Sequence, residues 1–390
     1  MQFEEMIRSL GITKYPDYLR DIFNEKSEFP DLTEKAFDKI EEEFSVLGER
    51  IDSLKLCAAA VNENEALKEF TRVAVTFLER ANHYEGFKLG LPQFEEDSHL
   101  YHYPIMLLAL ALPNGIKKYR SRGFSEEEIS KIYAGFKNNI CSKNNGKYGV
   151  ISYNWLRHYT SALIFNAGLF GVTPRMIDAP IIILKNSVGE YKIIVTDGKF
   201  HKSGKNFGSA GYSDEDGAYF ADFSEDDEFY KGREVVDSVV SKSISTLKKS
   251  EWKIIAKQWD WMAALHIPRG ADLSEDSMTR GFQNAMAKTL KYYSDLSPKF
   301  VHCSTWLLDP RLKELLGPDS NITRFINRFI KYPIPSGGRE LFGSAFPSSF
   351  KSYDELPETT SLQRKVKALY LNGEYIHAHA GFVPDSDTWI

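Results

Sequence analysis

Trp261-Met-Ala-Ala-Leu-His-Ile-Pro-Arg-Gly-Ala-Asp-Leu273, a helix-patterned run to Tyr293, and Phe300-Val-His-Cys-Ser-Thr-Trp-Leu-Leu308 are the stretch on which the fold turns. It reads as strand, glycine loop, long helix and second strand. Met278, Phe282, Ala285, Met286 and Leu290 fall at helical spacing, and Ser274 stands where a cap belongs. A strand that passes through glycine into a helix aims unpaired backbone N–H groups at one point, where negative charge can be held.

Upstream of it the chain has two characters. From Phe3 to about Tyr159 the apolar residues recur every three or four, as in Phe37, Ile40, Phe44, Leu47 and in Phe70, Val73, Phe77. Ser125-Glu-Glu-Glu128 has capping-box form, and the helix it opens is expected to stop near Asn144-Asn-Gly146. Beyond Gly149 short β-branched runs take over. Leu163–Val172, Ile181–Lys185 and Tyr191–Thr196 read as an antiparallel meander, with Asn186–Glu190 as a hairpin turn. Asp319-Ser-Asn321 and Thr360-Ser-Leu-Gln363 open further helices, the second ending at Asn372-Gly373, and a last strand spans Tyr375–Val383. The expectation is an α+β protein: an all-α domain over residues 1–150, then over 151–390 a mixed sheet with helices on its faces.

Composition narrows the function. The 390 residues are 42% apolar and 26% charged with a net charge of −5, so neither nucleic acid nor membrane has an evident electrostatic partner. The three cysteines, Cys57, Cys141 and Cys303, lie too far apart for a zinc knuckle or disulfide framework, which fits a reducing cytoplasm. His99 and His102 lack nearby ligands, and no metal is expected. The glycine-rich, basic segment 197–211, followed by the acidic run 214–228, is a long loop, either a lid over a site or a solvated excursion.

The segments ending His266-Ile-Pro268, Cys303-Ser-Thr-Trp-Leu-Leu-Asp-Pro310, Pro318-Asp-Ser-Asn-Ile322 and Thr360-Ser-Leu-Gln-Arg364 occur in an order that resembles a bacterial family of acyltransferases. That family joins a helical N-acyltransferase N-terminal domain to a GNAT-like C-terminal domain. The resemblance implies transfer of an acyl group from acyl-CoA to a small-molecule or peptide amine. It also implies a pyrophosphate loop, for which this chain offers only Arg269-Gly270-Ala271, with Asp272, Glu275 and Asp276 opposing an anion there.

Acyl transfer to an amine needs a base, an oxyanion donor and an acid for the leaving thiolate. His266, at the end of the first strand, is the candidate base. Ser304 is a candidate acid, and Cys303 is a candidate nucleophile or a core residue. By alternation at most one of the pair shares a cleft with His266. His158 and His201 are candidates for substrate contact. The alternative function is a non-catalytic small-molecule or peptide-binding protein on a degenerate GNAT-like fold.

Overall fold

A computed structural model describes all residues except 81–88, 142, 145–146, 149–152 and 385–390. The helix expected to stop near Asn144-Asn-Gly146 ends at Cys141, while residues 145 and 146 and the residue-150 boundary lie outside the described residues. The chain divides into two compact units, Met1–Asn166 and Ala167–Ile390.

The first unit is helical: α1 (Phe3–Ser9), α2 (Leu19–Asn24), α3 (Glu34–Phe44), α4 (Ile51–Asn62), α5 (Glu65–Arg80), α6 (Tyr103–Ser121), α7 (Glu126–Cys141) and α8 (Tyr153–Thr160). Phe37, Ile40, Phe70, Val73 and Phe77 are all buried, as their spacing requires. The Ser125 box forms, with Glu128 N donating to Ser125 Oγ and Ser125 N donating to Glu128 Oε2. Helices α6 and α8 touch at Gly115, where an added Cβ would sit 2.6 Å from the Thr160 carbonyl oxygen.

The second unit is built on two large sheets, with a short ladder of Lys199–Phe200 and Tyr219–Phe220 beside them. The strands are β1 (Gly171–Met176), β2 (Ile181–Asn186), β3 (Tyr191–Val195), β4 (Phe229–Val236), β5 (Val239–Lys248), β6 (Trp252–Lys257), β7 (Trp261–His266), β8 (Val301–Thr305), β9 (Ile330–Pro333) and β10 (His379–Phe382). One sheet runs β5-β4-β3-β2-β6, all antiparallel, and the hairpin at Asn186–Glu190 joins β2 to β3. The other runs β9-β10-β8-β7-β1, in which only β7 and β8 are parallel. The sheets face one another across a core that includes Ile183, Ile193, Met262, Tyr332 and Phe382.

The parallel pair is crossed by α9 (Glu275–Tyr293), which covers the outer face of β1, β7 and β8. Its Met278, Phe282, Ala285 and Met286 are buried, and Phe282 stacks on Phe170 at 5.5 Å. Gly281 lets this helix close on the sheet, since a Cβ there would meet Phe170 at 2.6 Å. The remaining helices are α10 (Arg311–Leu316), α11 (Asn321–Asn327) and α12 (Ser361–Leu371). Ser320 caps α11, and the Thr360–Gln363 box opens α12, which ends before Gly373 at φ +76°.

Two expected strands differ in extent. The run to Val172 is interrupted by a turn in which Ala167 N donates to Phe170 O around Gly168 at φ +89°, freeing Phe170 to pack under α9. The final strand begins at His379 rather than Tyr375. Before it, His377 N donates to Asp309 Oδ2 and Ala378 N to Ser336 Oγ, so side chains take the amides a ladder would use.

Candidate functional site

Strands β7 and β8 pair over only two residue pairs, Ala263/Val301 and Ala264/His302, although β7 runs on to His266 and β8 to Thr305. The parallel ladder therefore ends while both strands continue. Side chains alternate, so the register puts His266 with Met262 and Ala264 on one face and His302 and Ser304 on the same face of β8. That face is the one turned to the second sheet, as Met262 in the intersheet core shows. Cys303 points the other way.

Over this inner face lies a cavity of about 570 Å³. His302 and Ser304 form part of its floor, Arg175 and Asp178 one side, and Phe200, Asn206, Phe207 and Ile334 the walls. A concave, largely apolar volume with a few converging polar groups is the usual form of a small-molecule site. A second cavity, of about 660 Å³, lies within the helical unit. Its rim arginines are already paired, Arg72 with Glu69, Arg80 with Glu25 and Arg120 with Glu126 at 2.8 Å.

The imidazoles on the inner face are neutral. Burial, with the Arg175 cation adding to it, pushes His266 down to about 4 and His302 to about 3. His266 Nε2 lies 2.8 Å from the hydroxyl of the buried Thr173, and His302 Nε2 lies 3.0 Å from that of Tyr332. Arg175 itself pairs with Asp178 at 2.7 Å. Ser304 is exposed, and its hydroxyl has no hydrogen-bond partner among the described residues.

Three residues beyond His266, past the same end of β7, Arg269 and Gly270 are exposed, and Gly270 has φ +78° with open space where a side chain would be. The backbone can be approached closely there. The carboxylates of the following turn are partly engaged. Asp272 accepts from Ser274 N at 3.0 Å and from the Ser274 and Ser277 hydroxyls at 2.8 and 2.7 Å, which holds its carboxyl below the usual range. Glu275 pairs with Arg328 at 2.5 Å. Arg328 offsets the Glu275 charge, whereas the donors around Asp272 keep it ionised, so Asp272 and Asp276 still oppose an anion at this helix start.

Residues 152–383 match the model of the GNAT-like C-terminal domain family. The chain belongs to that family. Solved acyltransferases in complex with decanoyl-CoA, with decanoyl-CoA and teicoplanin, and, for a mutant, with octanoyl-CoA superpose with TM-scores of 0.61, 0.59 and 0.61. Each is 15% identical over 98% of this chain and 99% of its own, a likeness of fold. No curated protein matches the chain. The helical unit followed by a mixed sheet with helices is thus the architecture the resemblance implied.

Within this GNAT-like frame the other candidates occupy distinct places. Cys303 is buried on the α9 side, its Sγ 3.8 Å from Leu265 O, and burial pushes the thiol up to about 12. A thiolate is not available there at neutral pH. His158 belongs to the helical unit, in the last turn of α8 with its ring edge-on to Trp155 at 5.2 Å. His201 is buried in the second unit, its Nδ1 taking Ser203 N at 3.1 Å and its ring 5.3 Å from Tyr212.

The segment after Gly198 is docked rather than loose. Ala210 N donates to Ser336 O at 3.0 Å, His377 Nε2 lies 2.9 Å from Ala210 O, and Lys205 Nζ donates to His379 Nε2 at 3.0 Å. Because Arg311 donates to His377 Nδ1 and Lys205 to His379 Nε2, both rings accept at those atoms and are neutral. His302, Arg175 and Asn206 were not among the sequence candidates. The alternation of Val301-His-Cys-Ser304 already pairs His302 with Ser304, but Arg175 reaches the cavity from β1 through its pairing with Met262, and Asn206 only through a loop of the second sheet.

Proposed function

We propose that this chain is an N-acyltransferase that moves an acyl group from acyl-CoA to an amine on a small molecule or peptide. The observation that carries this reading is the parallel β7/β8 pair whose ladder ends early and whose first strand feeds through Arg269-Gly270-Ala271 into α9. Backbone left unpaired between two parting strands offers hydrogen bonds to an extended, amide-bearing ligand such as the CoA arm. The Arg269 side chain and the open backbone at Gly270 suit its pyrophosphate. Acyl-CoA complexes of acyltransferases with this fold support the same donor.

In the reaction the amine nitrogen bonds to the thioester carbonyl carbon, the C–S bond breaks, and one proton passes from nitrogen to sulfur overall. His266 is assigned as the acceptor of the amine proton. A ring held down to about 4 is in its accepting form at neutral pH but holds a proton weakly, so it acts on an amine that has already lost its ammonium proton. Ser304, on the same face, is assigned to hydrogen-bond the departing thiolate, which takes up the proton that His266 then releases.

Decanoyl-CoA at about 100 times its dissociation constant should stabilise the protein by about 2.7 kcal/mol, a rise in melting temperature of roughly 5–11 °C. The non-catalytic alternative predicts no rise with decanoyl-CoA, octanoyl-CoA or acetyl-CoA. A flat response to all three refutes the proposal.

A further inference from the structure

We infer that the cavity over His302 and Ser304 is the pocket for the acceptor: a cationic amine whose body carries an amide or similar carbonyl group. This rests on the acyltransferase reading above and adds to it where the acceptor lies and what it must carry. In the cavity lining the buried Asn206 Nδ2 has no hydrogen-bond partner among the described residues, and the exposed Ser304 hydroxyl is open to a ligand. Native structures rarely leave a buried group such as Asn206 Nδ2 unmatched, and a bound ligand or water is the ordinary partner.

The nature of the lining selects among occupants. A hydrocarbon acyl tail would fill the space between Phe200, Phe207 and Ile334 but would leave Asn206 Nδ2 with nothing to bond and would take the Ser304 hydroxyl out of water unpaired. An amide supplies both a donor and an acceptor to them. The lining cations are already matched, Arg175 by Asp178 and Lys199 by Glu215, so the pocket has no spare positive charge for a phosphate or carboxylate. Asp197, also in the lining, accepts from Gly198 N at 2.6 Å and has no cationic partner among the described residues. Its charge favours an ammonium over an anion on entry, and the amine sheds that proton to water before the neutral form reacts beside His266. Ser304 belongs both to this floor and to the face that carries His266, so an acceptor seated here borders the reacting carbonyl.

The test compares phenylalaninamide with phenethylamine, which has the same ring and amine but no amide, by calorimetric titration of the full chain. Phenylalaninamide should bind about tenfold more tightly, and Asn206→Leu should abolish most of that difference. Ile334→Trp, which fills the pocket from another wall, should block both amines and leave decanoyl-CoA binding intact, showing that any loss is local. Decanoyl-CoA and phenylalaninamide should bind together. Equal affinities for the two amines, or competition between phenylalaninamide and decanoyl-CoA, overturns the acceptor pocket alone. Failure of decanoyl-CoA to bind when no amine is present strikes the acyltransferase reading, and the acceptor role with it.

Discussion

Lowering the pH from 7 to 5 should destabilise the β-rich unit through histidines that fold in neutral form, and His302 isolates the effect. Burial and the nearby Arg175 charge hold its ring down to about 3, whereas in an unfolded chain histidine titrates near 6.5. Between those values the unfolded chain takes up a proton and the folded one does not. The contribution is therefore intact above about pH 6.5 and is lost as the pH falls toward 3. At pH 5 this amounts to about 2 kcal/mol for one such ring. His266 and His379, held down to about 4 and about 3, add comparable amounts, so the three together approach the stability of an ordinary domain.

His302→Gln keeps a hydrogen-bonding group opposite the Tyr332 hydroxyl but cannot be protonated. Its loss of stability between pH 7 and 5 should be smaller than that of the unmodified protein by about 2 kcal/mol, whatever the substitution costs at neutral pH. Urea unfolding followed by tryptophan fluorescence reads the correct unit, because every tryptophan except Trp155 follows residue 166. Equal losses in the two proteins over this pH interval would refute the assignment of His302 as a buried neutral ring.

Two further outcomes follow from burial. Iodoacetamide at pH 8 should leave Cys303 unmodified in the native protein and label it only in urea, as read by peptide mass spectrometry, because its thiol is buried and pushed up to about 12. Rapid native labelling would restore it as a candidate nucleophile. Gly281→Ala should destabilise by about 1–3 kcal/mol despite alanine's better helix propensity, since the new methyl would meet Phe170 at 2.6 Å. An unchanged or higher urea midpoint would mean that the α9 interface yields.

Much of the fold was legible because it is local. Helical period, the Ser125 and Thr360 capping boxes, the Ser320 cap and the Asn186 hairpin each depend on residues within a few positions of one another. The stretch Trp261–Leu308 carried the arrangement of strand, glycine, helix and strand in the same way. The site was legible only in part. His266 and Ser304 could be named from strand ends, and alternation pairs Ser304 with His302, yet no local rule aligns β7 with β8.

Tertiary structure decided the rest. The register Ala264/His302, set by packing under α9, turns His266, His302 and Ser304 to one face and Cys303 to the other. The cavity exists because a second sheet stands over that face and brings Asn206 and Phe207 to it. The loop carrying Lys205 is fixed to His379 across 174 positions of chain, a contact that neither propensity nor periodicity encodes. Sequence thus determined which elements form, since backbone bonding and side-chain spacing act over a turn or a strand. Which side chains meet was left to long-range packing, where register and burial are settled together.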